Sequence, residues 1–251
     1  PIYKLALSTE KLLAGTDSEI TTVGYYCNPI QYAEHRKTLE NVICTAGKFG
    51  ATHVSTFAGA WEGKPVESAY EEFGKVFREL ADLAEEKGVK LGIENCLMDG
   101  TWEHATCNIG FNPKAWEVMF EEVKNDNFGL EWEPTHQMVQ LIDPVTELRK
   151  WCKKIVHIHG KDATIDWDAV RHSGISGAVP FVWHRMPGFG DTNWRDIISI
   201  LRSNGYEDDI CIEGYHDPVY SGELEMTGQL HALNYLKWCR GGDFTPTPWE
   251  K

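Results

Sequence analysis

The sequence predicts an α/β fold of the (β/α)8-barrel type, on three observations. Short β-rich runs alternate with longer helical patterns, the order that builds a parallel sheet. Four apolar runs end on a metal-type ligand: KLGIE at Glu94, FGLEWE at Glu133, KIVHIH at His159 and DICIE at Glu213. The spacing of those ligands fits barrel units. Glu94 to Glu133 is 39 residues, Glu133 to His159 is 26, and His159 to Glu213 is 54. One βα unit of an eight-fold barrel averages about 30 residues. The first two gaps are one unit each, and the third holds two, with an unliganded strand between.

The elements follow in order. EITTVGYY (19–26) reads as a strand, followed by a helix over roughly 32–49. ATHVSTFAG (51–59) is a strand. ESAYEEFGKVFRELADLAEEKG (67–88) is an amphipathic helix that stops at Gly88. VKLGIE (89–94) is a strand, followed by a long loop and then the helix PKAWEVMFEEVKN, with Pro113 near its first turn. NFGLEWE (127–133) is a strand and DPVTELRKWCKK carries a helix. IVHIH (155–159) is a strand followed by a long loop. A weak strand lies near PFVWHRM (180–186), TNWRDIISILRSNG is a helix, DDICIE (208–213) is a strand, and a last helix covers about 223–238. No low-complexity linker divides the chain, so residues 1–251 read as one domain.

This gives seven strands where an eight-fold barrel needs eight. Only 18 residues precede the first strand, too few for a whole unit. The reading taken is that this sequence lacks its first strand and part of its first helix. The alternative is that Ile2–Leu7 forms the missing strand, with almost no helix after it.

Composition bounds the partners. Lys+Arg 24 against Asp+Glu 38 leaves a net charge of −14, which repels phosphate backbones, so nucleic acid is not expected as a ligand. The seven cysteines are odd in number and contain no CxxC, and several sit in apolar periodic runs, as buried free thiols of a reducing compartment do. PIYKLALSTEK has too short an apolar run for a signal peptide. Nothing approaches the ~20 apolar residues of a membrane span. A cytoplasmic protein is the expectation, with a small-molecule substrate and no membrane partner. A homo-oligomer or a small partner subunit would cover the open edges that an unclosed barrel exposes.

A charged residue that ends an apolar strand is ordinarily just where the strand meets water. Four at barrel-compatible spacing are harder to dismiss, because strand C-termini converge on the active face of such barrels. Three carboxylates and one imidazole suit one divalent ion, Mn2+ first, with Mg2+, Co2+ or Zn2+ as alternatives. Strand alternation puts Glu131 with Glu133 and His157 with His159. The later member of each pair lies nearer the mouth, leaving Glu131 and His157 a layer deeper. Lys161 continues the His159 parity and reaches toward a substrate oxygen, unless it is a solvated loop lysine. Arg185, just before a PGFG turn, either binds a substrate hydroxyl, carboxylate or phosphate or braces a loop to a helix. Trp102, Trp183 and Trp194 fall in mouth loops where aromatic faces stack on sugars, whereas Trp116 and Trp151 read as core. No GxGxxG, GxSxG or Walker sequence is present.

The motifs GYYCNPI, GIENCLM, GLEWEPTHQM, VHIHGKDA, HRMPGFGDTNW and CIEGYHDP occur in that order. With them, over roughly residues 19–237, the chain resembles the sugar phosphate isomerase/epimerase family, the xylose isomerase-like TIM barrels. The resemblance implies that this stretch supplies strands two to eight, the family's first βα unit being absent. It implies that Glu94, Glu133, His159 and Glu213 bind one divalent metal. It also makes His136 a substrate-facing histidine and Asn108 a pocket asparagine. One position departs from the family, which usually has Asp where this chain has Glu133; the extra methylene moves the carboxylate by about 1.5 Å.

The activity implied is proton transfer on a keto sugar or related polyol. A metal beside the carbonyl stabilises an enediolate, and a carboxylate on each face removes and returns a proton. Glu94 and Glu213 are the candidates for that catalytic pair. A metal-dependent sugar isomerase or epimerase is the first expectation. A lyase on the same site, such as an inosose dehydratase or an enzyme cleaving 3-keto-glycosides, is the second. A nuclease of the endonuclease IV kind and a non-catalytic subunit come last, the nuclease disfavoured by the acidic balance and few mouth histidines.

Overall fold

The structure is a computed structural model that describes residues 2–242 and 245–247. Ile2–Leu13 is a helix, α1, so the alternative strand at Ile2–Leu7 is corrected. The segment is dominated by Leu, Ala, Lys and Glu, which favour helix. Next come β1 (Thr22–Gly24), α2 (Ala33–Ala46), β2 (His53–Thr56) and α3 (Tyr70–Glu86). They are followed by β3 (Lys90–Glu94), α4 (Pro113–Glu122), β4 (Phe128–Trp132) and a one-turn helix, α5 (Pro134–Met138). The chain continues through α6 (Pro144–Trp151), β5 (Ile155–Gly160), β6 (Asp162–Ile165), α7 (Trp167–Ser173) and β7 (Val182–Arg185). It closes with α8 (Trp194–Ser203), β8 (Ile210–Ile212) and α9 (Glu225–Arg240).

Contacts group these elements into two compact units. The first holds residues 1–137 and 153–158, and the second holds 138–152 and 159–251. In the first unit, β1 to β5 pair in sequence order, all parallel. β3 and β4 are buried on both faces, except for Lys90 at the start of β3, as strands of a helix-covered parallel sheet are. Their register sets Gly92 beside Gly129 and Glu94 beside Glu131. A Cβ at Gly129 would strike the Lys154 carbonyl oxygen, so this close approach of β4 to the start of β5 requires glycine. Between Leu130 and Glu131 the β4–β5 register shifts, and beyond it Glu131 pairs with His157.

α3 covers this sheet with Phe73, Val76, Phe77, Leu80, Ala81 and Ala84, a stripe at helical spacing. Each large apolar side chain buried there contributes about 1.5–3 kcal/mol. α4 starts as the sequence predicts, with Pro113 in the first turn and the Asn112 side chain accepting from Lys114 N–H.

In the second unit, Asp143 caps α6 and Asn193 caps α8 through their side chains. α8 buries Trp194, Ile197, Ile198, Ile200 and Leu201. The end of β5 that belongs to this unit meets β8: Glu213 N–H donates to Gly160 O at 3.1 Å. The expected strand near Arg185 exists, but it is not a parallel barrel strand. β7 pairs antiparallel with β6, Asp162 opposite Arg185 and Ile165 opposite Val182. PFVWHRM lacks the continuous apolar run of a strand covered on both faces, and Trp183 stays 43% exposed. β6 and α7 occupy the stretch the sequence reads as a long loop. α7 is capped by Asp166, whose side chain accepts from Ala169 N–H.

Candidate functional site

In the first unit the strand ends are tied together by asparagines. Asn95 Nδ2 donates to Glu133 O at 2.9 Å, and Glu133 N–H donates to Asn95 Oδ1 at 2.7 Å. This two-way amide contact extends the β3–β4 pairing past Glu94 and fixes the backbone at both carboxylates. Asn108 Nδ2 donates to Glu94 O at 2.9 Å and to Cys96 O at 2.8 Å. Its Oδ1 accepts from Ala58 N–H and Gly110 N–H, each at 3.0 Å. All four capacities of this fully buried amide are spent on backbone. Asn108 therefore has none left for a substrate, which corrects its assignment as a pocket asparagine.

Glu94 and Glu133 are both buried, Glu133 completely. Glu133 accepts from Thr135 Oγ1, and its Oε1 lies 3.4 Å from His136 Nε2 on α5. Burial on its own would lower the His136 pKa. The Glu133 carboxylate, with the Cys96 contact, outweighs it and holds the imidazole well above its ordinary value. Glu94, Cys96 and His136 bring one ligand atom each to within 4.8 Å of one another. Sequence reasoning missed Cys96, although it follows Glu94 by two residues.

Glu131 and His157 lie in the buried layer that strand alternation assigns to them. Tyr26 Oη donates to Glu131 Oε2 at 2.9 Å, and His157 Nε2 stands 3.8 Å from Glu131 Oε1. The His157 and His53 rings are 5.8 Å apart.

In the second unit, Glu213 gathers two cationic or basic partners. Lys161 Nζ is 3.1 Å from Glu213 Oε1, and His159 Nδ1 is 3.4 Å from Glu213 Oε2. Lys161 is 3% exposed, so it is not a solvated loop lysine. Arg185 is held as a brace: its Nε lies 3.3 Å from Asp217 Oδ2 and its guanidinium sits over the Phe189 ring.

Asp217 also accepts from Met186, Val219 and Tyr220 N–H groups, and Asp162 accepts from Ala163, Gly188 and Thr192 N–H groups. Burial raises the Asp162 pKa despite those donors. At Asp217 burial pushes the same way, but the N–H donors and Arg185 outweigh it and hold the carboxyl below its usual range. Both aspartates stand in motifs the sequence displays, HIHGKDA and CIEGYHDP, and the signal was their place beside the ligands.

The tryptophan expectations divide. Trp116 is buried as expected and donates to Gly110 O. Trp194 is also fully buried, at the start of α8, and lines no mouth. All seven cysteines are free; Cys27 and Cys152 are buried, while Cys44 and Cys211 are exposed. Among the described residues no helix is long and apolar enough to cross a membrane.

The donor chemistry in each unit fits a divalent ion. Carboxylate oxygens and imidazole nitrogens at strand ends are the kinds of ligand such ions take. Glu94 and Glu133 carry such donors in the first unit, and His159 and Glu213 carry them in the second.

Over residues 5–237 the sequence matches the family described as xylose isomerase-like TIM barrel. The chain belongs to this family. Among curated relatives, an inosose dehydratase of Clostridium tetani (strain Massachusetts / E88) is 26% identical over 182 residues, 70% of this chain and 57% of that protein. The chain thus spans less than two thirds of that relative's length. Two solved structures share the xylose isomerase-like fold. The apo form of 3-keto-D-glucoside 4-epimerase from E. coli superposes with a TM-score of 0.69 at 13% identity, covering 95% of this chain and 86% of that one. The IOLI protein with a bound zinc atom superposes with a TM-score of 0.66 at 20% identity, covering 95% and 79%.

Proposed function

We propose that this chain is a divalent-metal-dependent enzyme that removes a proton alpha to the carbonyl of a keto sugar or related polyol, and so isomerises or epimerises it through an enediolate. The observation that carries the reading is the placement of Glu94, Glu133, His159 and Glu213 at strand ends of a family barrel. They form the ligand set for one ion, Mn2+ first. When bound, the ion supplies positive charge where negative charge develops on the substrate oxygen. The chain's own groups do the rest. Glu94 and Glu213 remove the proton from one face and return it to the other. Lys161 and His136 bind and orient substrate oxygens, and Arg185 is braced by Asp217.

The inosose dehydratase relative favours a second reading at the same residues. There the same α-proton leaves, and a hydroxyl β to the carbonyl departs as water instead of the proton returning. The IOLI protein's zinc supports metal dependence but leaves the choice of ion to measurement.

A panel of keto sugars and inososes, incubated with protein and Mn2+ in D2O and followed by NMR, tests both readings. Exchange of one C–H for deuterium with an epimerised or isomerised product is expected, and Glu94→Gln abolishes it. Loss of water identifies the dehydratase. Turnover without any exchange rules out α-proton abstraction. Glu213→Gln is expected to abolish Mn2+ binding by electron paramagnetic resonance; unchanged binding would remove Glu213 from the ligand set.

A further inference from the structure

We propose that Glu94, Cys96 and His136 form a second metal position, a thiolate-bearing site for Zn2+ built entirely within the first unit. The three donors are of different kinds, and one ligand atom of each lies within 4.8 Å of the other two. A tetrahedral ion with bonds of about 2.0–2.3 Å holds its ligands roughly 3.5 Å apart, so a small side-chain rotation closes three corners of the site. The backbone beneath is already fixed. Asn108 holds the carbonyls of Glu94 and Cys96, and Asn95 ties the segment to Glu133, which leads into α5 and His136. Cys96 is half-buried, which leaves the fourth corner open to solvent or to a small ligand.

The donor set decides the ion. A thiolate with an imidazole and a carboxylate suits Zn2+ and Co2+, whereas Mn2+ and Mg2+ prefer oxygen. The Glu133 carboxylate facing His136 at 3.4 Å orients the ring from outside the site, as carboxylates behind zinc histidines do. Binding releases to solvent both the Cys96 thiol proton and the proton that Glu133 favours on the His136 imidazole. No residue of the second unit takes part; Glu94 is common to this position and to the four-ligand reading proposed above, so Cys96 and His136 are what set this position apart.

Co2+ titrated into metal-free protein reads the site directly, since a thiolate ligand gives a near-ultraviolet sulfur-to-cobalt charge-transfer band that carboxylates and imidazoles do not. Wild type is expected to develop the band, Cys96→Ser to lose it, and Zn2+ to displace it. Cys107→Ser, which removes a thiol whose titration senses Cys96, is expected to keep it. Glu213→Gln is also expected to keep the band while losing Mn2+ binding, which separates this site from the four-ligand reading. Co2+ binding without the band, or a band that survives in a folded Cys96→Ser or Cys96→Ala protein, would overturn the proposal. Loss of the band in Glu213→Gln would merge it with the four-ligand site and overturn it equally.

Discussion

The two units hold their strand-end candidate residues by different means. In the first, neutral amides fix the backbone: Asn95 and Asn108 spend their side chains on carbonyls and N–H groups at Glu94, Cys96 and Glu133. In the second, charge fixes the side chains: Lys161 and His159 converge on Glu213, and Arg185 leans on Asp217. The strands differ in step. β4 is fully buried, while β8 is three residues long and half-exposed. Amide contacts to backbone are insensitive to salt and pH, whereas ion pairs respond to both. The strand ends of the first unit are therefore pre-set, and those of the second are adjustable.

The sharpest way to break this contrast is Asn108→Ala. It leaves buried Ala58 and Gly110 N–H groups and two carbonyls unpaired, at a cost of about 3–5 kcal/mol. Urea unfolding checks it; a variant of unchanged stability with only a weakened KM would instead restore Asn108 to the substrate pocket.

In the second unit, Asp217→Asn should cost less, about 2–3 kcal/mol, because the amide keeps one acceptor oxygen. Its pH dependence follows from the depressed pKa. A carboxyl held below its unfolded value contributes stability that is full above about pH 4 and lost as pH falls through the folded value. The stability gap between wild type and Asp217→Asn should therefore be constant near neutrality and close in acid. A gap that widens in acid would contradict the depressed pKa.

The smallest effect is expected at Lys161. Its ammonium competes with any cation for Glu213, so Lys161→Met should tighten Mn2+ binding by about tenfold, near 1.4 kcal/mol. Weaker binding in this variant would show that the lysine assists the ion rather than opposing it.

Strand ends were legible in the sequence because a buried parallel strand must be apolar along its length and can turn polar only where it leaves the sheet. KLGIE and FGLEWE announce themselves in this way. The β6–β7 ribbon was not legible as antiparallel, since DATI and VWHR are four residues each and carry no periodic signal of their partner. The ligand candidates were read from their position after apolar runs. Asn108 was misassigned and Asn95 unremarked for one reason: an amide can serve a substrate or a backbone equally well, and only the distances separate the two.

The Asn108 clamp has a consequence for how this barrel can be varied. By gripping Cys96 O from the far side of the intervening stretch, it closes the ends of residues 97–107 on each other. That stretch behaves like a cartridge seated in a fixed socket. It is also pinned along its length, since Ala105 N–H donates to Lys64 O while Gly63 and Val66 N–H groups donate to Ala105 O and Trp102 O. Side-chain changes that keep those backbone bonds would leave Glu94 and Cys96 in place beneath it.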